Sequence, residues 1–184
     1  MSLLGCEQES LQFFPQDKYL LNDSDKGYEY RRDVVVVVSP PKKNIDLIKV
    51  SNKYIKDNYS LEEIAKYKRF SVGFLRESSN TKRIYQDRSE YADYKEGLRP
   101  LTTIFDVDDW LLNVRWVSGS VVDYYHDFSN EYKSGCPSNV FIRLNGEREL
   151  YNTDNCSATE LQDLTDYIDA HWQELSVAKY RETN

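Results

Sequence analysis

The chain has 184 residues, of which 40% are hydrophobic, 14% are aromatic and 30% are charged, and its formal net charge is −7. A domain of this length buries roughly 70% of the surface that its unfolded chain exposes, so the composition predicts one folded domain and excludes a disordered protein. No apolar run in the sequence approaches the ~20 residues that a membrane-spanning helix requires.

The first feature along the chain is the tetrapeptide Leu3-Leu4-Gly5-Cys6. It resembles the lipobox of bacterial lipoproteins, in which a signal peptidase cuts before the cysteine and a diacylglyceryl group is attached to its sulfur. The resemblance implies lipidation of Cys6, a membrane anchor and a position in the cell envelope facing the periplasm. Glu7 is not the aspartate that signals inner-membrane retention in enteric bacteria, which favours the outer membrane.

The polar segment after Cys6 lacks a strong hydrophobic period, which is typical of a tether. We therefore predict a truncated signal remnant and tether at residues 1–32, followed by a single globular domain at residues 33–184. That domain opens with the valine run that ends before Ser39-Pro40-Pro41, which predicts a central strand covered on both faces.

Helical spacing of apolar residues predicts a first helix near residues 43–58, with Asn44 as its N-cap. Ser60 and Glu63 form a capping-box pattern that predicts a second helix through about Lys68. The alternation of Phe70, Val72 and Phe74 then predicts a strand, which we expect to form a hairpin with residues 81–87.

Residues 54–76 also allow a different interpretation, because they are similar to the helix-turn-helix segment of AraC-type regulators at Ala65, Ser71 and Leu75. Residues 42–83 carry 11 Lys and Arg against 5 Asp and Glu, a balance that suits DNA phosphates. Arg69 replaces the turn glycine, however, and Gly73 would lie inside the recognition helix at a cost of about 1 kcal/mol. A cytosolic DNA-binding regulator is the alternative hypothesis that this resemblance implies.

Two clusters of polar side chains are candidates for acid–base catalysis or cation binding. Asp106, Asp108 and Asp109 are the best group of carboxylates, and in an extended segment Asp106 and Asp108 share a face, as paired acids or cation ligands require. His126 follows Tyr124 and Tyr125, but its neighbour Asp127 would point to the opposite face of a strand.

No nucleotide-binding or hydrolase motif is present, so we predict a non-catalytic protein without a metal or cofactor, and an enzyme that uses the three aspartates is a further alternative. The abundance of tyrosine, a residue favoured at binding surfaces, indicates a binding module. The candidate binding residues are Asp106, Asp108, Asp109, Tyr124, Tyr125 and His126.

Cys136 and Cys156 flank a predicted β-hairpin. A two-residue turn at Asn145-Gly146 pairs positions whose numbers sum to 291, and the two cysteines sum to 292, so they would lie almost opposite each other. If Cys6 carries lipid, these two remain as a pair, and in an oxidising compartment we expect a disulfide. The loop of about 20 residues would contribute roughly 3 kcal/mol in the chain-entropy model.

The last element is predicted to be an amphipathic helix. Ser157 and Glu160 form a capping box, the opposite face is acidic, and an apolar stripe runs along one side. The stripe consists of Leu161, Leu164, Ile168, Trp172 and Leu175.

Together the elements predict an α+β domain with a mainly antiparallel sheet, a helical pair near the N-terminus and a C-terminal amphipathic helix packed on one face. The leading functional hypothesis is a lipid-anchored envelope lipoprotein that binds a partner protein, as an immunity factor, inhibitor or assembly accessory does. No nucleic acid is expected as a partner.

Overall fold

The computed structural model describes residues 11–23, 28–79, 81, 109–117, 120–125, 137, 139–154 and 156–181, and for residues 14–23, 28, 29 and 125 it describes the backbone alone. The strands form one seven-stranded sheet whose spatial order follows the chain, β1 to β7. The strands are β1 (Gln12–Asp23), β2 (Tyr28–Val38), β3 (Arg69–Arg76), β4 (Trp110–Trp116), β5 (Ser120–Tyr125), β6 (Asn139–Arg143) and β7 (Arg148–Tyr151).

One pair of neighbours in the sheet, β2 and β3, is parallel, and the other pairs are antiparallel. A parallel pair needs a crossover connection. It is made by α1 (Asn44–Asn58) and α2 (Leu61–Ala65). After the sheet come α3 (Ala158–His171), a 3-10 helix (Trp172–Leu175) and α4 (Ala178–Arg181).

The main core lies between one face of the sheet and the helices. Alternate strand residues such as Val72, Val114 and Val140 pack there against Ile55 of α1 and Ile168 of α3. The described helices thus cover one face of a mainly antiparallel sheet, and the predicted α+β class and single layer of helices are confirmed. The five valines of β2 are at most 8% exposed, so both faces of this strand are covered as predicted. β2 is an interior strand but lies beside the edge strand β1, not at the centre of the sheet.

A buried ion pair ties α2 to β2. Arg31 donates from Nε and Nη2 to the two carboxylate oxygens of Asp33, at 3.0 Å each, and also pairs with Glu63 of α2. Its guanidinium lies 5.7 Å from the ring centroid of Tyr67 and 5.2 Å from that of Phe70. Burial, the largest single influence, lowers the pKa of Arg31, but the hydrogen bonds that its guanidinium donates, to Asp33 above all, together outweigh burial and raise the pKa. The guanidinium therefore stays charged inside the protein.

Several local predictions were wrong. The predicted tether does not hold for residues 12–23 and 28–32, which form β1 and the start of β2 in register with each other. The predicted hairpin between β3 and residues 81–87 is also wrong, because β2 and β4 occupy both edges of β3. Residues 82–87 themselves lie outside the described part of the chain.

The capping predictions had mixed outcomes. Ser157 and Glu160 form the predicted capping box of α3. Ser60 is the N-cap of α2 but its side chain makes no capping hydrogen bond, and α2 ends at Ala65. Lys43, not Asn44, is the N-cap of α1.

The hairpin of β6 and β7 has a different turn from the predicted one. Asn139 pairs with Tyr151, so paired positions sum to 290, and the loop contains three residues, not two. The amide of Gly146 donates to the Arg143 carbonyl at 2.9 Å, and Gly146 adopts φ +86°. This is a turn followed by a left-handed residue, a common three-residue hairpin. An added Cβ at Gly146 would also lie 2.9 Å from the Trp172 ring.

Candidate functional site

A groove of about 860 Å³ lies on the helical side of the molecule, between the first turns of α1 and the length of α3. Its volume is within the range of about 300–1,000 Å³ that is typical of binding clefts. Leu164 and Ile45 contribute apolar surface to it, and Tyr167 and Ala170 line it from α3. The apolar part of the lining, formed by Ile45, Leu164 and Tyr167, is called the floor below, and polar and charged side chains make up much of the rest.

The two walls of the groove differ in charge. Lys43 and Lys49 lie on the α1 side together with Asp46. On the α3 side Glu160, Asp163 and Asp166 follow each other at helical spacing. The acidic face of α3 is predictable from the sequence, but its position opposite the lysines of α1 depends on the tertiary fold.

A chain of hydrogen bonds from the core fixes the position of Tyr167, the tyrosine that lines the groove. The buried hydroxyl of Tyr124 donates to Asn52 Oδ1 at 2.8 Å, and Asn52 Nδ2 donates to the Tyr167 hydroxyl at 3.2 Å. Burial raises the pKa values of Tyr124 and Tyr167, so both hydroxyls stay protonated. The chain connects β5, α1 and α3 and sets the position of the Tyr167 ring.

Tyr167 also forms an aromatic and cationic cluster at the surface. Its ring lies 4.6 Å from that of His171, and the Lys49 ammonium lies 5.5 Å from its centroid. His171 Nδ1 is 2.8 Å from Glu174 Oε1, and Glu174 also pairs with Lys56 of α1. The hydrogen bond from Lys56 is the main cause of the lowered pKa of Glu174. These contacts connect α1 to the 3-10 helix beside His171, which lines one end of the groove.

The other end lies at the start of α3. Ser157 Oγ accepts from the Glu160 amide at 3.2 Å, while Glu160 Oε2 accepts from the Ser157 hydroxyl at 2.7 Å. The hydrogen bonds that the Glu160 carboxylate accepts from the hydroxyl and the backbone amide of Ser157 lower the pKa of Glu160. Cys156, the residue before the cap, donates its amide to Thr153 O at 2.9 Å and is disulfide-bonded. The other two cysteines of the chain, Cys6 and Cys136, lie outside the described residues, and one of them is the partner.

The predicted binding residues do not form one site among the described residues. The prediction of Tyr124 as a surface binding residue is wrong, because it is 3% exposed in the core. Asp109 is 6% exposed, and its Oδ2 accepts from the Ser78 hydroxyl at 2.9 Å. Tyr125 is the last residue of β5. Asp106, Asp108 and His126 lie outside the described part of the chain.

The resemblance to a helix-turn-helix is not supported by the structure. The segment that would form the recognition helix is β3, and its residues Phe70 to Leu75 are buried in the sheet. Gly73 fits this position because a Cβ there would lie 2.7 Å from the Trp110 ring. Residues 69–76 therefore form a strand and not the recognition helix that the resemblance implied, so the predicted helix-turn-helix is wrong.

The face of the sheet opposite the helices carries a second polar cluster, which the sequence analysis missed. Arg115 Nε donates to Asp123 Oδ2 at 2.5 Å, across the β4–β5 ladder. Asp123 is 1% exposed, and burial, the largest influence, raises its pKa against the opposing effect of Arg115. In the sequence, Arg115 and Asp123 each alternate with apolar residues, which indicates that they lie on the other face of their strands. The sequence does not show that the two residues are paired across β4 and β5.

Among the described residues, no helix has the length and apolarity to cross a bilayer, and no group of three or more His, Cys, Asp or Glu side chains could hold a metal ion. No family model, curated protein or solved structure matches the chain.

Proposed function

We propose that the protein is a lipid-anchored lipoprotein of the bacterial cell envelope, facing the periplasm, and that it binds a partner protein without catalysing a reaction. The lipid is attached to Cys6 of the Leu3-Leu4-Gly5-Cys6 sequence. The outer membrane is the favoured location, since Glu7 is not the aspartate of inner-membrane retention.

The observation that carries this proposal is the disulfide at Cys156. Disulfides persist in oxidising compartments such as the periplasm and are rare in the cytosol. A disulfide uses two of the three cysteines. If its second cysteine is Cys136, Cys6 remains available for lipid.

Contacts around α1 support the pairing of Cys136 with Cys156. The Asn44 side chain donates to Pro137 O at 3.2 Å, and Pro137 follows Cys136 directly. Asn44 also lines the same groove as Ser157, which follows Cys156. Pro137 and Ser157, the residues that follow the two cysteines, thus both lie near the start of α1, and this supports a bond between the two sulfurs.

The groove between α1 and α3 supports the binding part of the proposal. It combines an apolar floor with charged walls, the arrangement of a protein interface with an apolar core and a polar rim. Tyr167 is held by the buried Asn52, so its ring is ordered before a partner arrives. A preordered aromatic side chain costs little entropy on binding.

Lipid labelling in a bacterial host tests the anchor. The gene is expressed with its natural upstream sequence in the presence of an alkyne-tagged fatty acid, and membranes are separated on a density gradient. We expect label and membrane association for the unaltered protein and neither for Cys6→Ala, with Ser10→Ala as the matched control. Label on Cys6→Ala, or unlabelled protein with Cys6 intact, would contradict the proposal.

A further inference from the structure

The groove between α1 and α3 carries more negative than positive charge. Four carboxylates line it, namely Asp46, Glu160, Asp163 and Asp166, against two lysines and His171. Within the described part of the chain, no ion pair or hydrogen bond involves Asp163, and Asp166 accepts only the Gln162 amide, at 2.7 Å. The α3 wall therefore presents carboxylates that are not neutralised by the protein itself.

The lysines on the opposite wall are partly occupied. The Lys49 ammonium lies over the Tyr167 ring at 5.5 Å. Lys43 is close enough to Glu160 to contribute to the lowered pKa of that carboxyl. The charges of both lysines thus act on groups already in the groove. Asp163 and Asp166 lie 3 positions apart on α3, about one helical turn, and their side chains are exposed.

The floor of the groove limits the class of ligand. Leu164 is buried, and Ile45 and Tyr167 are half-buried beside it, so an apolar side chain can be covered there. A small polyamine would pair with the carboxylates but leave this floor unused. A nucleic acid or an anionic membrane surface would be repelled by the α3 wall.

We propose that the groove binds a lysine- or arginine-bearing segment of a partner protein, with its cationic side chains on Asp163 and Asp166 and an apolar side chain on the floor at Leu164 and Tyr167. This assignment rests on the proposed function, because it takes the partner to be a protein. It goes beyond that function by specifying that the segment contributed by the partner is cationic and carries an apolar side chain.

Amide chemical shifts of the full 184-residue chain test the proposal, with a short capped peptide of lysine and leucine as the probe. We expect saturable shifts confined to α1 and α3. Asp163→Lys/Asp166→Lys should weaken binding by about tenfold or more, because two exposed attractions become repulsions. Glu62→Lys/Glu147→Lys is the matched control: it changes the net charge equally at exposed positions outside the groove and should leave the affinity unchanged.

Three further probes complete the test. A peptide of glutamate and leucine and a peptide of lysine and serine should each bind more weakly, because one lacks the charge and the other lacks the apolar side chain. Equal binding of spermidine would assign the groove to small polycations and overturn the proposal, as would the absence of shifts with the lysine–leucine peptide. Lipid labelling of Cys6 is independent of these shifts, so failure of the anchor and failure of the groove are distinguishable.

Discussion

The hydrogen bond between Tyr124 and Asn52 gives the most direct stability prediction. Tyr124→Phe removes the donor at 2.8 Å from Asn52 Oδ1, and Asn52 is only 4% exposed, so water cannot readily replace the hydroxyl. A buried acceptor left unsatisfied costs about 1–3 kcal/mol. At about 2–4 °C per kcal/mol for a chain of this size, a central value of about 2 kcal/mol lowers Tm by about 4–8 °C.

A double-mutant cycle separates the pair from the individual side chains. Asn52→Leu alone leaves the Tyr124 hydroxyl without its acceptor, whereas Tyr124→Phe/Asn52→Leu removes both polar groups. The double variant should therefore lose less stability than the sum of the single variants, by about 1 kcal/mol or more. The assay is urea unfolding followed by far-UV circular dichroism.

Tyr151→Phe is the matched control, because its hydroxyl bonds Glu149 at the surface and its side chain is 48% exposed. Its unfolding free energy should change by no more than about 0.5 kcal/mol. Additive effects of Tyr124→Phe and Asn52→Leu, or a Tyr124→Phe variant as stable as the unaltered protein, would refute the reasoning.

Three further predictions concern the sheet, the helix cap and the polar cluster. Gly73→Ala places a Cβ 2.7 Å from the Trp110 ring and should cost about 1–3 kcal/mol in urea unfolding; unchanged stability would contradict this contact. Ser157→Ala should lower stability by about 1 kcal/mol and Ser157→Asp by less, because aspartate can still accept from the Glu160 amide; equal losses would contradict the capping role. Burial raises the pKa of Asp123 in the folded state, so the folded protein holds its proton more tightly and its contribution to stability falls as pH rises above about 4. Asp123→Asn should lack this fall when stability is compared with the unaltered protein at several pH values, and parallel curves would contradict the assignment.

The sequence was most informative where structure is determined locally. The Ser157–Glu160 capping box of α3 depends on neighbouring residues alone and was predicted correctly. The predicted apolar stripe was correct for Leu164 and Ile168, but Trp172 and Leu175 lie on the 3-10 helix that follows α3. The β2 valines likewise predicted a strand covered on both faces, because a run of five β-branched residues has no polar side to expose.

Prediction failed where more than one structure fits the same local pattern. Asn145-Gly146 suits a two-residue turn, but Gly146 also suits the left-handed position of the three-residue loop that the hairpin adopts. β1 was predicted to be a tether because its sequence is polar and has no strong hydrophobic period. In the structure, a register shift between Pro15 and Asp17 interrupts the alternation of this strand. In residues 69–76 the alternation of Phe70, Val72 and Phe74 was the correct signal, and the similarity to a recognition helix was not.

The groove could not be predicted because its two walls are distant in the sequence. Lys49 and Asp163 belong to helices separated by five strands, and only the sheet order brings these helices together. Composition shows an excess of acidic residues, but it does not show which of them face a lysine and which lie unpaired above an apolar floor.

The central claim is that lipid and disulfide divide the three cysteines, and mass spectrometry of the membrane-extracted protein tests it most directly. Peptides are mapped without reduction, after blocking free thiols, in protein expressed with its natural upstream sequence. We predict an N-terminal Cys6 that carries a diacylglyceryl thioether, and a peptide pair joined through Cys136 and Cys156. A Cys6–Cys156 disulfide, or a Cys6 with a free thiol, would contradict the account.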